Sequence, residues 1–371
     1  MEENIKYWVG FNIVKGIGPV RLQSLMDVFG DIRTAWEAAP SQLRGAGLSE
    51  KLSLRVRDVR QGVDLDQLMS RIQREGITIL TWRQDGYPDS LRDIPQSPPV
   101  LYTKGEWKER DRRAVAVVGT RRYTSYGRQA AEELTRALAH QGITVVSGLA
   151  RGIDGIAHRT ALDSGGRTIA VLGSGVDRIY PPEHRTLAKE IESQGLVLSD
   201  YPLGTPPEGQ NFPPRNRIIS GLARAVVVIE AGGRSGALIT AKYAADQGRE
   251  VFAVPGSIFS PACKGTNALI KQGAHPLLQS RDVMDVMEFS QIPESETVQS
   301  ELPSNPTEAK LFQVLGLEPL HVDDICNRVE MPVEKVTSTL AVMEVKGLVR
   351  KTGAMQYMAV GESDVTYDVE G

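Results

Sequence analysis

Residues 211–222 read Asn-Phe-Pro-Pro-Arg-Asn-Arg-Ile-Ile-Ser-Gly-Leu, an apolar run follows at 225–229, and residues 231–240 read Ala-Gly-Gly-Arg-Ser-Gly-Ala-Leu-Ile-Thr. Paired prolines suit the first turn of a helix, where a missing N–H costs nothing. A short apolar run between turn residues is typical of a buried strand, and the glycines after it predict a tight turn. The stretch therefore predicts helix, strand, turn and helix in succession, which is how α/β folds are built.

The same stretch places anion-binding groups at two successive helix starts. Arg215 and Arg217 fall in or beside the first turn of one helix. Gly233 allows close approach to the backbone, and Ser235 can cap the helix that follows. Free N–H groups, the positive end of a helix dipole and two guanidinium groups together predict a phosphate site.

Composition limits the class of protein. A chain of 371 residues with 41% hydrophobic content has room for two or three domains. No apolar run approaches the length of a membrane span and no signal peptide is evident, so we expect a cytoplasmic protein. Cys263 and Cys326 are the only cysteines, which argues against a disulfide framework or a cysteine-based metal site. The net charge of −3 hides a basic excess between residues 110 and 224.

The first 80 residues predict a small helical domain. Lys15-Gly-Ile-Gly-Pro-Val-Arg21 lies between two apolar-periodic segments and resembles the turn of a helix-hairpin-helix unit, whose glycines let backbone N–H groups approach a phosphate. A plain Gly-Pro turn explains the same residues equally well, since the possible second copy at 45–48 is poor. The turn-rich residues 81–109 are interpreted as a bridge into the next domain.

Residues 110–289 alternate apolar strands with helical stretches. This pattern predicts a parallel sheet covered on both faces, with ligands at the carboxyl ends of its strands. The predicted strands are Val115–Val118, Thr144–Ser147, Thr168–Leu172, Leu196–Ser199, Val226–Ile229 and Val251–Val254.

The last part of the chain predicts a linker at 290–305, a winged helix at 306–360 and an acidic tail at 361–371. Three helices followed by a two-stranded ribbon around Gly353 are what a winged helix requires. Its would-be recognition helix, 333–346, mixes lysines with glutamates. A protein-contact or vestigial role is therefore at least as well supported as DNA recognition.

Four strand ends supply polar loops to the edge of the predicted sheet. None fits the dinucleotide fingerprint, because Gly119-Thr-Arg places a bulky cation at the second glycine position, and a P-loop is absent. The edge carries more arginines than one small ligand needs, which favours a polymer with repeated phosphates. Phe212 and Tyr123 offer faces on which bases can stack. The arginines are Arg121, Arg122, Arg151, Arg215, Arg217 and Arg234.

Catalytic groups are scarce. Asp154 and His158 lie four residues apart on a predicted helix and are spaced like an acid–base pair. Asp154 also stands where an N-cap belongs, and capping is the better explanation. We therefore expect no catalytic residue, no metal and no cofactor.

The ordered motifs between residues 85 and 278 resemble the DprA family, the DNA-processing proteins of bacterial natural transformation. The motifs are Tyr87-Pro88 with Pro98-Pro-Val-Leu-Tyr102, Val118-Gly-Thr-Arg121, Ser147-Gly-Leu-Ala-Arg-Gly-Ile-Asp154 with Ala157-His158, Pro213–Leu222, Gly233-Arg-Ser-Gly-Ala-Leu-Ile-Thr-Ala241, Val254-Pro-Gly256 and Gly265-Thr-Asn267 with Leu269-Ile270. The resemblance implies an extended Rossmann-like core, a sterile-alpha-motif-like helical domain before it and often a winged helix after it. It also implies a homodimer without enzymatic activity that binds and protects incoming single-stranded DNA and helps load RecA in place of single-strand-binding protein.

The resemblance also assigns DNA contacts to particular residues. It points to Arg121 and to the aromatic and basic loop around Phe212, Arg215 and Arg217, although Gln210 stands in that loop where a lysine would favour a contact more. Together with the glycine turns, this gives one set of expected DNA-binding residues. The set is Gly119, Thr120, Arg121, Arg151, Gln210, Phe212, Arg215, Asn216, Arg217, Gly233, Ser235 and Thr240.

Two other functions remain open from the sequence. A phosphoribohydrolase of the lysine-decarboxylase-like family has a similar core, but those proteins carry Pro-Gly-Gly-x-Gly-Thr followed by a catalytic glutamate. Here the turn reads Glu-Ala-Gly-Gly-Arg-Ser-Gly at 230–236, with Thr240 and Ala241 where the acid is expected. A transcription regulator, with the winged helix reading DNA and the core sensing a nucleotide, is the second alternative.

Overall fold

The computed structural model describes residues 4–289, 306–315, 320–329, 331–346, 348–353 and 355–359. The chain divides into two compact units, residues 1–291 and 292–371. No helix within the described ranges combines the length and the apolar character needed to cross a membrane. The predicted linker at 290–305 and the acidic tail at 361–371 lie outside the described residues.

The first unit begins with a cluster of short helices. Asp31, Ser49 and Asp64 cap three of them by accepting hydrogen bonds from backbone N–H groups of the first turn. Their apolar faces pack into one core that also includes Val100 and Tyr102 of the sheet. The helices are α1 (Ile5–Ile13), α2 (Pro19–Phe29), α3 (Ile32–Glu37), α4 (Pro40–Gly45), α5 (Glu50–Gly62) and α6 (Leu65–Arg74).

The turn with the helix-hairpin-helix pattern connects α1 to α2, as its sequence predicts. Gly16 has a φ of 101°, a left-handed conformation that favours glycine. Arg21 and Arg55 donate to the carbonyl oxygens of Gly16 and Lys15, so two cations near the turn hold its backbone. DNA contact by this turn stays a prediction.

The sheet of the first unit has nine strands in the order β1-β2-β6-β5-β4-β3-β7-β8-β9. The strands predicted from apolar runs are all present, and β3 to β8 pair in parallel with one another, which confirms the predicted α/β core. The strands are β1 (Thr78–Thr81), β2 (Val100–Gly105), β3 (Ala114–Val118), β4 (Thr144–Ser147), β5 (Thr168–Val171), β6 (Leu196–Ser199), β7 (Ala225–Val228), β8 (Glu250–Ala253) and β9 (His275–Pro276).

Residues 81–109 do more than bridge two domains. Strand β2 pairs antiparallel with β6 and extends the sheet at one edge. Strand β1 pairs antiparallel with β2 and begins at Thr78, so the last residues of the predicted helical domain also belong to the sheet. Strand β2 was not predicted from the sequence, because its apolar run is short and prolines precede it. The buried Tyr102 hydroxyl donates to Asn12 of α1, and Asn12 donates to the carbonyl oxygen of Asp200, which ties the helical cluster to the sheet.

Helices cover both faces of the sheet, as near-continuous apolar strands predict. Within β3, Ala116 joins the apolar cluster under α11 and α12, whereas Val115 and Val117 join the cluster under α8 and α9. The helices of this part are α7 (Asp89–Arg92), α8 (Ser125–His140), α9 (Ile153–Asp163), α10 (Arg185–Gln194), α11 (Phe212–Leu222), α12 (Ala237–Asp246), α13 (Lys264–Lys271) and α14 (Arg281–Phe289).

The second unit is the predicted winged helix. Its three helices surround an apolar core that includes Leu311, Ile325 and Leu340, and its strands pair in the order β10-β12-β11. Lys346, at the end of the would-be recognition helix, lies 2.9 Å from the buried Glu308 carboxylate. The elements are α15 (Pro306–Val314), β10 (Leu320–His321), α16 (Val322–Val329), α17 (Val333–Val345), β11 (Val349–Gly353) and β12 (Gln356–Ala359).

Candidate nucleic-acid interface

The loops that follow β3, β4, β5 and β7 meet at one edge of the sheet, because these strands run parallel. These loops contain six of the twelve residues expected to bind DNA, and the other six lie before or within α11 and in α12. Their side chains divide into a buried layer that holds the loops together and an exposed layer above it.

Arg215 belongs to the buried layer and is only 4% exposed. One terminal nitrogen donates to the carbonyl oxygens of Gly148, at 2.9 Å, and of Val171, while Nε donates to Asn216 Oδ1 at 3.1 Å. A Cβ on Gly148 would lie 2.7 Å from the guanidinium, so this close approach requires glycine. Burial lowers the pKa of Arg215 to about 10, which still leaves it charged near neutral pH.

Arg217 is buried in a similar way. It pairs with the Asp200 carboxylate at 2.8 Å and donates to the carbonyl oxygens of Gln96 and Pro214. Burial alone would lower its pKa, but the Asp200 carboxylate shifts the pKa upward instead. Arg217 thereby ties α11 to the segment before β2 and to the end of β6.

The burial of both arginines differs from the exposed position that a direct ligand contact leads us to expect. The sequence correctly places them in the first turns of α11, but that part of the helix faces the sheet. A buried guanidinium needs partners within the protein, and each of these two donates at least three hydrogen bonds. Contact of these two arginines with DNA stays a prediction.

Asp154 and His158 do not form the acid–base pair that their spacing suggested. The N-cap of α9 is Gly152, and Asp154 lies within the first turn, where its carboxylate accepts from the N–H groups of Gly148 and Ala150. Burial raises the pKa of Asp154, and the nearby Arg215 charge opposes that shift. Asp154 therefore organises the loop after β4 instead of capping its own helix.

His158 is fully buried and neutral. Its Nε2 accepts from the N–H of Leu149, and its Nδ1 lies 2.7 Å from the hydroxyl of Thr168, which itself donates to a backbone carbonyl. Burial lowers its pKa to about 3. Leu149 has a left-handed φ of 55°, and its carbonyl oxygen accepts from His184 Nδ1. Two histidines thus hold the backbone of one strained residue in the loop after β4.

The exposed layer centres on Phe212, the first residue of α11. The guanidinium of Arg121 lies 5.9 Å from the Phe212 ring centroid, and the Tyr180 ring lies 5.8 Å from it. Phe212 is half-buried, because one edge of its ring packs against Gly173. Arg151 lies at the rim and forms an exposed ion pair with Glu183. A shallow depression results, lined in part by Arg121, Arg151, Tyr180 and Phe212.

Two predicted residues beside Arg121 have backbone roles. Gly119 packs directly on Ile153, because a Cβ at this position would lie 2.6 Å from that side chain. The N–H of Thr120 donates to the Glu230 carbonyl oxygen at 2.7 Å. The Thr120 N–H is thus engaged within the protein, and a phosphate contact by this turn stays a prediction.

The remaining predicted residues lie in and around α11 and the turn before α12. Gln210 is exposed but donates to Glu208. Asn216 is buried and donates to the carbonyl oxygen of Gly236, and Thr240 is buried. Gly233 is exposed, and the Ser235 hydroxyl accepts weakly, at 3.4 Å, from the N–H of the first residue of α12.

Sequence inspection missed Tyr180. It follows the third polar loop and precedes two prolines, a position that indicates a constrained turn and does not by itself suggest a stacking residue. Tyr123, which was proposed for stacking, is 43% exposed in the loop after β3. Within the described ranges, no three His, Cys, Asp or Glu side chains come together in a way that would hold a metal ion.

The chain matches two family models. DNA recombination-mediator protein A matches residues 78–288, and the DprA winged helix domain matches residues 295–354. Protein Smf of Synechocystis is 36% identical over 388 residues, covering 95% of this chain and 98% of the relative.

Solved structures are similar as well. DNA processing protein A (DprA) of Streptococcus pneumoniae aligns with a TM-score of 0.66 at 33% identity, covering 75% of this chain and 95% of the other. DNA processing protein A of Helicobacter pylori, whose structure gave insights into its unique single-stranded DNA binding mode, aligns with a TM-score of 0.52 at 30% identity. The alignment covers 58% of this chain and 96% of the other. The fold, the winged helix and these matches agree, and the chain therefore belongs to the DNA recombination-mediator protein A family, DprA.

Proposed function

We propose that this chain binds single-stranded DNA without sequence specificity, protects it, and helps load RecA onto it during natural transformation and recombination. The exposed cluster above the strand ends carries the proposal, because Arg121 and Tyr180 both lie against the Phe212 ring. Aromatic faces stack on any base, and guanidinium groups bind phosphates. The single-stranded DNA binding mode described for the H. pylori relative supports the proposal.

In this proposal the two layers have different tasks. Arg121, Arg151, Phe212 and Tyr180 contact DNA. The buried Arg215, together with Asn216, Arg217 and Thr240, positions these residues and does not touch the strand. Gly233, Ser235 and Gln210 lie at the margin and contact DNA only if the strand extends toward α12.

We further propose that the protein acts as a cytoplasmic homodimer, takes the strand over from single-strand-binding protein, has no membrane partner and performs no chemical step. The bonding of the buried ionisable groups supports the last point. Asp154, His158 and the fully buried Glu230 are all engaged by protein donors or hydroxyls at the strand ends. None is left to activate a nucleophile.

A salt series of fluorescence anisotropy with the full chain tests DNA binding. We expect tighter binding of oligo-dT than of duplex, with log affinity falling by about 0.7 per neutralised phosphate for each unit of log salt. Arg121→Ala should weaken binding by about tenfold. It should also reduce the salt slope by about 0.7, the value for one phosphate contact. Arg136→Ala, which removes an exposed arginine of α8, is the matched control.

Two outcomes would overturn this proposal. If the Arg121→Ala and Arg151→Ala variants both bind oligo-dT as tightly as the parent, the assignment of the DNA-binding site is wrong. A preference for one duplex sequence over oligo-dT would indicate a transcription regulator, and release of free base from a nucleoside monophosphate would indicate a phosphoribohydrolase.

RecA loading needs its own assay. RecA-dependent ATP hydrolysis on DNA coated with single-strand-binding protein should accelerate when the parent is added and should accelerate less with Arg121→Ala. If the parent binds oligo-dT but leaves this rate unchanged, the loading role is wrong while the binding role stands.

A further inference from the structure

We propose that the DNA path continues from the Phe212 cluster into a second, basic cavity beside α10, where four cations bind further phosphates of the same strand. This inference rests on the proposed function and extends it to residues outside the expected site. The cavity has a volume of about 460 Å³ and lies between α10, the loop 176–182 and β2. We refer to it as the α10 cavity.

The rim of the α10 cavity carries Lys104, Arg178, Arg185 and Lys189. Three of them are exposed and Lys104 is half-buried, and no carboxylate in the described ranges forms an ion pair with any of the four. Exposed cations usually point into solvent independently, but four around one concave surface focus a positive potential. Such a potential attracts a polyanion.

Only two carboxylates line the same cavity. Asp177 is already compensated, because Arg71 lies 3.0 Å from it and the N–H of Gly204 donates to it. Glu192 is half-buried near the far end. The four unpaired cations therefore outnumber the acidic groups available to them.

The inner surface of the α10 cavity suits bases. Val176, Ile179 and Tyr180 line it together with two prolines, so apolar and aromatic surface lies inside a cationic rim. Phosphates at the rim and bases against an apolar surface are the two parts of a single-stranded binding site.

Tyr180 connects this cavity to the Phe212 cluster. It lines both the α10 cavity and the depression that contains Arg121 and Arg151, and its ring lies against Phe212. The two concave surfaces are therefore neighbours across one aromatic side chain. A free nucleotide would occupy one of them, whereas a strand can occupy both, and their adjacency favours the strand.

The test is a length series with the full chain. Labelled oligo-dT of about 4 to about 16 nucleotides spans the usual site sizes for single strands. The variant is the triple substitution Arg178→Ala, Arg185→Ala and Lys189→Ala. The control removes the same charge from exposed residues that do not line the cavity, by Lys51→Ala, Arg136→Ala and Lys271→Ala.

We expect the triple variant to bind the shortest oligonucleotide like the parent and the longest about tenfold more weakly, with a salt slope lower by about 2. The control should follow the parent at every length. If the triple variant keeps the parent's slope and length dependence while Arg121→Ala weakens binding, the α10 cavity is not part of the path. If the parent binds no oligonucleotide, the proposed function fails together with this inference.

Lysine acetylation of the parent gives a second readout that needs no variant. A long oligo-dT should protect Lys104 and Lys189 from an acylating reagent, and one of about 4 nucleotides should not. Lys51 and Lys271 report non-specific protection. Equal labelling of Lys104 and Lys189 with and without the long strand contradicts the inference.

Discussion

Two pairs of arginines lie near the carboxyl ends of the central strands, one pair in α11 and the other in the loops after β3 and β4, and they differ in burial. Arg215 and Arg217 are 4% and 7% exposed, and they donate to backbone carbonyl oxygens and to one carboxylate. Arg121 and Arg151 are exposed, and Arg151 pairs with a surface glutamate. Arg121 and the buried Arg215 both lie against the Phe212 ring, at 5.9 and 5.8 Å from its centroid. The two pairs differ in burial. We therefore propose that the buried pair holds the structure together and that the exposed pair contacts the ligand.

The reason is the cost of removing a guanidinium from water. A buried charge must be matched by fixed acceptors, and the rigid fork of an arginine can reach several of them at once. Arg215 uses this property to join the end of β4 to the end of β5 through Gly148 and Val171. An exposed guanidinium keeps its hydration and can exchange water for a phosphate at little cost.

The largest expected effect is the loss of a buried arginine. Arg215→Met should lower the free energy of unfolding by about 3 kcal/mol or more, because carbonyl oxygens and the Asp154 carboxylate lose their positive partner. Arg121→Met should leave stability nearly unchanged, since the side chain is exposed. Urea unfolding followed by circular dichroism measures both. If the two variants have the same free energy of unfolding, the proposed structural role of the buried layer is wrong.

The buried layer should also respond to pH through His158. Its folded pKa of about 3 lies below the ordinary value, so the unfolded chain binds the proton first as pH falls. Stability is therefore fully present above about pH 6.5 and is lost as pH falls toward 3. Between pH 7 and pH 5 the parent should lose about 2 kcal/mol that His158→Gln does not lose.

Urea unfolding at both pH values measures this difference. His140→Gln, at an exposed position, is the matched control and should keep the parent's pH dependence. If His158→Gln loses as much stability as the parent over this range, His158 is not held neutral by the fold.

The sequence predicted the strands of the core because each is a short apolar run followed by a glycine-bearing turn, and such runs are buried in any parallel sheet. It did not predict β2, because prolines and turn residues flank that strand. The winged helix was predictable from its helical periodicity and its glycine turn.

The division between buried and exposed arginines was not predictable. Arg215 bonds to carbonyl oxygens 67 and 44 residues away along the chain, and no local pattern reports such partners. Gly148 indicated a close contact, since a side chain at this position would collide with Arg215. A glycine in the sequence does not, however, identify the residue that packs against it. Tyr180 was missed because its role depends on a ring 32 positions further along the chain, Phe212.

Stacking and charge within the exposed layer can be separated by one substitution. Phe212→Leu keeps an apolar group against Gly173 but removes the ring, so oligo-dT affinity should fall by about 1.4 kcal/mol, or tenfold. Its salt slope should match that of the parent, since no cation is lost. Arg121→Ala should change the slope, and anisotropy at several salt concentrations compares the two. A slope change in Phe212→Leu would mean that the ring acts by holding Arg121 in place.

The smallest expected effect concerns the ion pair between Arg151 and Glu183. Exposed pairs of this kind contribute little to stability, so Glu183→Gln should leave the unfolding midpoint unchanged. The freed guanidinium should bind oligo-dT about two- to threefold more tightly at low salt, and the gain should disappear at high salt. Glu190→Gln, which breaks the pair with Arg159 on α9, is the control and should not affect binding. Adding Arg151→Ala to Glu183→Gln should abolish the gain, because the effect acts through that arginine alone. A gain that survives this double substitution would show that Glu183 repels the strand directly and that Arg151 does not contact it.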